Sequence, residues 1–289
     1  MTDANDKTRF NTEARPNWCP GCGNFGIQAS IKKALLALDL QPHEVAMASG
    51  IGCSSKIAHW INIYGIHGLH GRPLPLAAGI KLANHKMAVI AEGGDGDGYS
   101  EGMGHFIHAA RRNVDMTYIV HNNGVFALTT GQASTTGRQT RVTISTPHGA
   151  IEPPFSPTAL AIVAGATFVA RGFSGDTDQL ADLVAEAIRH HGFALVDVMQ
   201  VCVSYNPERS YKWYQERVYK LDSQGYDPSD RDKALALGLD TGEERLATGV
   251  LYRTERPAYE DKLQQLQEAP LAEHDISRID VSNLMEALI

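Results

Sequence analysis

The chain has 289 residues, of which 43% are hydrophobic, and a formal net charge of -7. This length can bury a core as one large domain or two small ones, and without a basic patch no nucleic-acid partner is expected. There is no run of about 18 apolar residues, so no membrane span is expected. The polar N-terminal segment "MTDANDKTRFNTEARP" lacks the apolar region of a secretory signal, which favours a cytoplasmic protein.

Hydrophobic periodicity and glycine or proline punctuation predict alternating helices and strands between residues 23 and 201. The first predicted elements are a helix over 23–38, a strand over 45–49, a helix over 73–84, a strand over 86–92, a helix over 100–112 with Ser100 as its N-cap, and a strand over 116–121. A segment with few periodic signals follows, 122–157, and loops of that length are usually functional. Beyond it we predict a helix over 157–165, a strand over 167–170, a helix over 176–191 and a strand over 193–201.

This alternation predicts an α/β domain with a largely parallel sheet, in which ligands bind at the carboxyl ends of strands. The predicted ends are Ser49-Gly50, Gly93-Gly94-Asp95, His121-Asn122-Asn123 and Val201-Cys202. From about residue 205 the composition shifts to a charged, proline-punctuated tail. We therefore predict a ligand-binding domain over 1–204 and a C-terminal extension over 205–289 that packs on the core or on a partner.

The loop "GGDGDG" after the strand over 86–92 has the glycines of a phosphate-binding loop. Its two aspartates would repel a diphosphate unless a cation lies between them, and magnesium takes hard oxygen ligands together with phosphate oxygens. Gly94-Asp95-Gly96 is followed by 25 residues and then Asn122-Asn123, a gap that holds one helix and one strand. The spacing predicts a metal–diphosphate site at two neighbouring strand ends. The alternative is a pair of turns without a ligand.

The four cysteines, Cys19, Cys22, Cys53 and Cys202, allow three interpretations of the motif "WCPGCG". They are too few for a disulfide scaffold and are expected to be metal ligands or redox centres. A thioredoxin-like dithiol needs a strand before the motif, and "KTRFNTEARPN" is not one. A zinc site is possible, although it is commonly built from two C-x-x-C pairs. A [4Fe–4S] cluster also needs four thiolates, and the helix after Cys22 would point its N-terminus toward that anion.

Several motifs, taken in order, resemble the β subunits of 2-oxoacid:ferredoxin oxidoreductases over residues 16 to 205: "WCPGCG", "GIGCSSKI", "HGLHGRPLPLAAGIKLAN", "GGDGDGYSEGMGHF" and "NNGVFALTTGQASTT". The resemblance implies a thiamine diphosphate-binding fold, thiamine diphosphate with Mg²⁺, and one [4Fe–4S] cluster on the four cysteines. It also implies Asp95, Asn123 and the backbone carbonyl of Val125 as magnesium ligands. The other residues that we assign to cofactor binding on this resemblance are Gly94, Gly96, Asp97, Thr129, Gly131, Cys53 and Ser54.

Two side chains are assigned to the substrate on the same resemblance. Lys56 is a solvated lysine by default, and the resemblance makes it the contact for the substrate carboxylate. His70, in a His-Gly-Arg motif with Arg72, is implied to line the active site. Thr130 stands where some family members with broad 2-oxoacid use have lysine. A second cation for a dicarboxylate substrate would therefore have to come from elsewhere, such as the partner subunit.

The activity that the resemblance implies is oxidative decarboxylation of a 2-oxoacid with CoA, giving acyl-CoA and CO2, with electrons passing through the cluster to ferredoxin. Many family members also run this reaction in reverse. The loop "FALTTGQAST" resembles the 2-oxoglutarate type, whose product is succinyl-CoA, more than the pyruvate type. Only one diphosphate-binding domain is recognised, so an α subunit with a pyrimidine-binding domain is expected, in an α2β2 assembly.

Three alternatives to this interpretation remain open on the sequence. The first is pyruvate or broad 2-oxoacid specificity in the same kind of enzyme. The second is a non-redox thiamine diphosphate decarboxylase subunit with a zinc site. The third is a zinc-stabilised binding subunit without catalysis.

Overall fold

The computed structural model describes residues 7–277 and 279–288, so residues 1–6 of the predicted polar N-terminal segment lie outside the described residues. The helices are α1 (Asn24–Ala37), α2 (Pro73–Ala83), α3 (Met103–Arg112), α4 (Pro157–Ala164), α5 (Thr177–Arg189), α6 (Tyr211–Gln215), α7 (Arg231–Leu239) and α8 (Ser282–Glu286). The strands are β1 (Val45–Ser49), β2 (Tyr64–His67), β3 (Ala88–Gly94), β4 (Met116–Asn122), β5 (Val125–Phe126), β6 (Gln132–Ala133), β7 (Phe168–Phe173), β8 (Phe193–Met199), β9 (Val218–Lys220) and β10 (Leu246–Arg253).

Eight of the strands form one sheet in the order β2-β1-β3-β4-β8-β7-β10-β9. The pairs from β2 to β7 are all parallel, β10 runs antiparallel to β7, and β9 runs parallel to β10. The predicted α/β fold with a largely parallel sheet is therefore confirmed. The carboxyl ends of β1, β3, β4 and β8 lie side by side, because these four strands are consecutive in the sheet.

The sheet is covered by helices on both faces, and its alternating side chains divide between two cores. Met47, Ile90 and Ile119 face the core that contains α1 and α5. Ala48, Ala91 and Val120, each the next residue along its strand, face the core that contains α2, α3 and α4. Both faces of the central strands are thus buried, which is why these strands are continuous apolar runs in the sequence.

The predicted helix over 100–112 begins later than expected. A π-helical turn occupies Gly96–Glu101, and α3 starts at Met103. Ser100 lies inside the π-helical turn and its hydroxyl donates to Thr135, so the prediction of Ser100 as an N-cap is wrong. The wide turn lets Gly98 lie directly against the Tyr118 hydroxyl, where a Cβ would overlap that oxygen. Turns of this kind are frequent at functional sites.

The extension adds to the same sheet. β10 pairs with β7 and β9 forms the outer edge, while α7 packs on α4. At that contact Gly238 lies against the backbone of Ala159, where a Cβ on residue 238 would be 3.0 Å from the Ala159 nitrogen. Within residues 7–277 and 279–288, no helix combines the length and the apolar character needed to cross a membrane.

Candidate active site

The carboxyl ends of β3 and β4 bring the glycine–aspartate loop and the asparagine pair together. Gly94 pairs with His121 across the two strands, so Asp95 and Asn123 follow at the same edge of the sheet. The Asn123 N–H donates to Asp95 Oδ1 at 3.3 Å. The prediction that the two motifs meet at neighbouring strand ends is therefore matched by this geometry.

The Asp95 carboxylate is buried and surrounded by donors. Its Oδ2 accepts from the hydroxyls of Ser134 and Thr136, the second at 2.6 Å, and Thr136 Oγ1 also lies 2.8 Å from Asn122 Oδ1. Burial raises the pKa of Asp95, and these hydrogen bonds act in the opposite direction. A buried carboxylate without a basic partner is suited to a cation, which would remove the cost of burying its charge.

Sequence reasoning missed Ser134 and Thr136. Both lie in the last part of the motif "NNGVFALTTGQASTT", inside the segment predicted to be functional because of its length. The available signal was this run of hydroxyl side chains after the asparagine pair, but nothing in it pointed to Asp95.

Asn123 is held on three sides. Its Oδ1 accepts from the Val125 N–H at 3.0 Å and its Nδ2 donates to Gln200 Oε1 at 2.6 Å. Its carbonyl accepts from Asn206 Nδ2 at 2.8 Å, so the start of the extension also touches this residue. In the part of the chain that the structure describes, no three His, Cys, Asp or Glu side chains converge on one metal position. The predicted magnesium set contains a single carboxylate, an amide and a backbone carbonyl.

A small cavity of about 70 Å³ lies at this edge of the sheet. Its lining includes most of the residues assigned to the cofactor: Cys53, Ser54, Gly94, Asp95, Gly96, Asp97, Asn123, Val125 and Thr129. Gly131 is outside this lining, and its N–H donates to the Phe126 carbonyl at 2.9 Å. The Thr129 hydroxyl donates to Gln132 at 2.6 Å. A diphosphate bound by Thr129 and Gly131 would have to replace these two bonds.

Asp97, the second aspartate of the loop, binds backbone groups of two other loops. Its Oδ1 accepts from the N–H groups of Ile51 at 2.9 Å and Gly71 at 2.8 Å, and lies 2.6 Å from His70 Nδ1. Burial raises the pKa of Asp97, and the Gly71, Ile51 and His70 contacts oppose that shift. Through these hydrogen bonds Asp97 holds the loop after β1 and the loop before α2 against the cavity. Its contact with His70 fixes the orientation of that ring.

The four cysteines surround a second cavity, of about 230 Å³, although 148 residues separate Cys53 from Cys202 in the chain. Two hydrogen bonds join the distant chain segments that carry these cysteines. The Trp18 indole N–H donates to the Cys53 carbonyl at 2.6 Å, and the Ser204 hydroxyl donates to Cys19 Sγ at 3.2 Å. The sequence spacing alone could not show that Cys202 reaches the other three.

The thiols influence one another electrostatically. The pKa of Cys22 is raised to about 12, mainly by burial. The thiols of Cys202, Cys53 and Cys19 contribute to this rise, and the Asn24 N–H opposes it. Burial also raises the pKa of Cys53, against the opposing charge of Lys56. A metal centre would offset the cost that burial places on ionising these thiols, because bound metal ions stabilise thiolates.

Lys56 lines the cysteine cavity, and its Nζ donates to Asn17 Oδ1 at 3.2 Å. His70 lines the small cavity, with 39% of its side chain exposed. The two residues assigned to the substrate thus lie on different cavities.

The two cavities have a common wall. Cys53, Asn123, Ala127 and Leu128 line both of them. Gln200 extends this connection, because it accepts from Asn123 and its Nε2 donates to Cys22 Sγ at 3.4 Å. The residues assigned to the diphosphate and those assigned to the cluster therefore form one continuous site.

Comparison with protein families agrees with this geometry. A family model described as "Thiamine pyrophosphate enzyme, C-terminal TPP binding domain" matches residues 43–198. A second, for the C-terminal part of the "Pyruvate ferredoxin oxidoreductase beta subunit", matches residues 202–268. The class of protein is thus a thiamine pyrophosphate enzyme.

Similar proteins with known names identify the family within this class of enzymes. The chain is 46% identical over 251 residues to the 2-oxoacid:ferredoxin oxidoreductase subunit beta of Saccharolobus solfataricus, covering 83% of this chain and 82% of that protein. It is 42% identical over 291 residues to 2-oxoacid:ferredoxin oxidoreductase 1, subunit beta, of Aeropyrum pernix, covering 96% and 92%. The chain belongs to the β subunits of the 2-oxoacid:ferredoxin oxidoreductases, as the sequence motifs predicted, and is therefore a subunit of an oxidoreductase that works with partner subunits.

A solved structure is similar over almost the whole chain. It is described as 2-oxoglutarate:ferredoxin oxidoreductase from Magnetococcus marinus with 2-oxoglutarate, coenzyme A and succinyl-CoA bound. The TM-score is 0.90 at 35% sequence identity, and the match covers 98% of this chain and 96% of that chain.

Proposed function

We propose that this chain carries thiamine diphosphate, Mg²⁺ and one [4Fe–4S] cluster, and that its complex oxidatively decarboxylates a 2-oxoacid with CoA and passes the electrons to ferredoxin. The observation that carries the proposal is the wall shared by the two cavities, formed by Cys53, Asn123, Ala127 and Leu128. Electrons released at one cofactor would have a short path to the other. When bound, thiamine diphosphate supplies the nucleophile and electron sink, and the cluster carries single electrons.

Asp95, Asn123 and the Val125 carbonyl are proposed to hold Mg²⁺. All three residues line the small cavity, and the buried Asp95 carboxylate has no basic partner among residues 7–277 and 279–288. Gly94, Gly96, Ser54 and the 129–131 turn would lie along the diphosphate. At Gly96 a Cβ would be 2.5 Å from the Phe126 ring, which explains why this loop position needs glycine.

Cys19, Cys22, Cys53 and Cys202 are proposed to bind the cluster. The four irons of a [4Fe–4S] cluster are held by four thiolates, so the thiols are spread around a cavity rather than directed at one ion. The four cysteines line a cavity of about 230 Å³, and among the described residues no three of their side chains converge on one metal position. This favours a cluster over a single zinc ion, which needs all its ligands within bonding distance of one point.

For the substrate we propose 2-oxoglutarate, with succinyl-CoA as product. Support comes from the loop over 126–135 and from the Magnetococcus enzyme, whose described ligands are 2-oxoglutarate, coenzyme A and succinyl-CoA. Lys56 is proposed to contact the substrate carboxylate and His70 to line the reacting centre, held in orientation by Asp97. Pyruvate or broad 2-oxoacid specificity is the alternative.

The complex is proposed to be a cytoplasmic α2β2 assembly whose α subunit supplies the pyrimidine-binding domain. The domain division at 204/205 is part of the same proposal. Asn206 nevertheless bonds to Asn123, so the first residues of the extension contribute to the site.

The test uses the complex co-expressed with its α subunit and purified without oxygen. We expect brown protein with about four irons per β chain, Mg²⁺-dependent binding of thiamine diphosphate, and the highest kcat/KM with 2-oxoglutarate among a panel of 2-oxoacids. Asp95→Asn should weaken cofactor binding by about 100-fold and leave the iron content unchanged. Asp178→Asn, at an exposed position on α5, is the control. Colourless protein with one zinc per chain would contradict the redox function.

A further inference from the structure

Gln200 occupies the boundary between the two cavities. It follows the last residue of β8, is only 2% exposed, and its N–H donates to the Asn122 carbonyl at 2.9 Å. Its side chain makes three polar contacts. Oε1 accepts from Asn123 Nδ2 at 2.6 Å, and Nε2 donates to Cys22 Sγ at 3.4 Å and to the Val201 carbonyl at 2.5 Å.

The Val125 N–H determines which atom donates and which accepts in each of these hydrogen bonds. The Val125 N–H can only donate, so the atom of Asn123 that faces it must be the carbonyl oxygen Oδ1. The Asn123 Nδ2 then faces Gln200 and requires an acceptor there, which is Oε1. The Gln200 Nε2 is left facing Cys22 and acts as a donor to its sulfur. A backbone group beside the metal site thus sets the polarity of the contact at the thiol.

We propose that Gln200 is a positioning residue that couples the two cofactor sites. Through Oε1 it holds the Asn123 amide so that Oδ1 remains on the side of Val125 and the metal. Through Nε2 it donates a hydrogen bond to the thiolate of Cys22, one of the four cluster ligands. The inference rests on the proposed function, and it assigns to a residue outside both ligand sets the task of tuning both.

The physical reason lies in the charge that each site carries. A cluster becomes more negative on reduction, so an N–H donor to one of its sulfurs stabilises the reduced form and raises the reduction potential. Hydrogen bonds to an ionised partner are stronger than neutral ones. On the other side, an unpaired Asn123 amide would be free to rotate, and the metal would lose a preoriented ligand.

The experiment compares Gln200→Met and Gln200→Glu with the wild-type complex. Methionine is unbranched like glutamine and loses both contacts. Glutamate keeps the acceptor for Asn123 but, when ionised, has no donor for Cys22. Gln28→Met is the matched control, since Gln28 is also buried at 8% exposure and donates to the Trp60 carbonyl rather than to Asn123 or Cys22. The readouts are the cluster potential, by redox titration monitored by electron paramagnetic resonance at pH 9, and the affinity for Mg²⁺–thiamine diphosphate, by calorimetry.

For Gln200→Met we expect the reduced form of the cluster to be destabilised about tenfold, which corresponds to about 59 mV for a one-electron couple. Its affinity for Mg²⁺–thiamine diphosphate should fall about tenfold, because the Asn123 amide loses a partner. For Gln200→Glu the potential should fall by at least as much, while the cofactor affinity stays within about twofold of wild type. The Gln28→Met complex should retain both values.

A Gln200→Met complex with wild-type potential and cofactor affinity would overturn the inference, as would an equal change in Gln28→Met. If Gln200→Met fails to assemble, Gln200→Glu decides: a lowered potential with retained cofactor affinity supports the coupling, and an unchanged potential refutes it. Failure of the proposed function is recognised separately, since the wild-type complex itself would then lack iron or would not bind thiamine diphosphate.

Discussion

The two ends of the central strands β3, β4 and β8 are stabilised by different kinds of interaction. At their carboxyl ends, polar side chains bond to backbone groups and to one another, as Asp97 does with two N–H groups and Gln200 with Asn123. At their amino ends, charged side chains from distant segments form pairs. Lys81 lies 2.6 Å from Asp115. The candidate site also depends on close backbone packing, as at Gly50, where a Cβ would overlap the Asp97 carboxylate, whereas the junction with the extension depends on charge balance.

The junction at the amino ends contains more acid than base. Lys81 and His191 face three carboxylates, those of Asp115, Glu260 and Asp261. His191 lies 2.8 Å from Asp261, and the Asp115 N–H donates to Glu260 at 3.1 Å. Burial raises the pKa of Glu260, the Asp115 charge adds to this, and Lys81 opposes it. Lys81 is the buried cation of this cluster, and together with His191 it offsets the repulsion among the three carboxylates.

The largest expected effect on stability comes from removing that lysine. Lys81→Met leaves Asp115 and Glu260 facing each other without the buried cation, and breaking a buried ion pair typically costs about 3–5 kcal/mol. Because Asp115 is partly exposed, we expect a loss of about 3 kcal/mol in the free energy of unfolding, measured by urea denaturation. Lys86→Met is the control, since Lys86 pairs with Glu273 at the surface and should cost less than about 1 kcal/mol. Equal costs for the two variants would show that charge does not hold the junction.

The next effect tests the opposite end of the sheet. Gly26 in α1 lies so close to the Ser174 carbonyl oxygen that a Cβ would overlap it. Gly26→Ala should therefore destabilise the chain by about 1–3 kcal/mol in urea denaturation, through a shift of α1 against the loop after β7. Gly79→Ala in α2 is the control, because no described atom outside that helix's own backbone lies within 4 Å of the position that an alanine Cβ would take. Alanine should stabilise that helix by about 0.5–1 kcal/mol. If Gly26→Ala has the wild-type free energy of unfolding, close backbone packing does not stabilise this end of the sheet.

This contrast also explains how much of the molecule could be predicted from the sequence. The alternating elements and the meeting of Asp95 with Asn123 were predictable, because strand order in a parallel sheet brings successive strand ends to one edge. Ser134 and Gln200 were not, since their bonds to Asp95 and Asn123 join positions 39 and 77 residues apart with no motif of their own. Hydroxyl and amide side chains acquire such roles only through the tertiary fold.

Five strands of the described residues escaped prediction: β2, β5, β6, β9 and β10. Two of them, β2 and β10, did so for different reasons. β2 has four residues that are all exposed, so it shows no burial pattern. β10 contains Gly249 at a φ of 126° and a register shift between Val250 and Tyr252, which interrupt the alternation expected of a strand. Its position follows from pairing with β7 rather than from its own residues, which is why the extension was predicted only as a segment packing on the core or a partner.

The smallest expected effect lies where the extension meets α5 near the carboxyl end of β7. Asp176 caps α5 by accepting from the Gln179 N–H at 3.2 Å, and it lies 2.6 Å from Lys220 in β9. Burial raises the pKa of Asp176, but the bonds from Lys220 and Gln179 outweigh it, so the pKa is lowered in the folded chain. Its contribution to stability is therefore complete above the unfolded pKa of about 3.9 and is lost as the pH falls through the folded value.

Asp176→Ala should cost about 1 kcal/mol at pH 7, the usual value of an N-cap, and the difference from wild type should shrink below pH 4. Thermal unfolding between pH 3 and pH 7 measures both quantities. Lys220→Met separates the two partners of Asp176, because it removes the ion pair and leaves the cap intact. If this variant retains the full pH dependence, the cap alone lowers the pKa, and the link between β9 and α5 contributes little. If Lys220→Met loses about half of the pH dependence, charge pairing stabilises the extension at this end of the sheet as well. The two ends of the sheet would then differ in how much charge pairing contributes, not in whether it contributes.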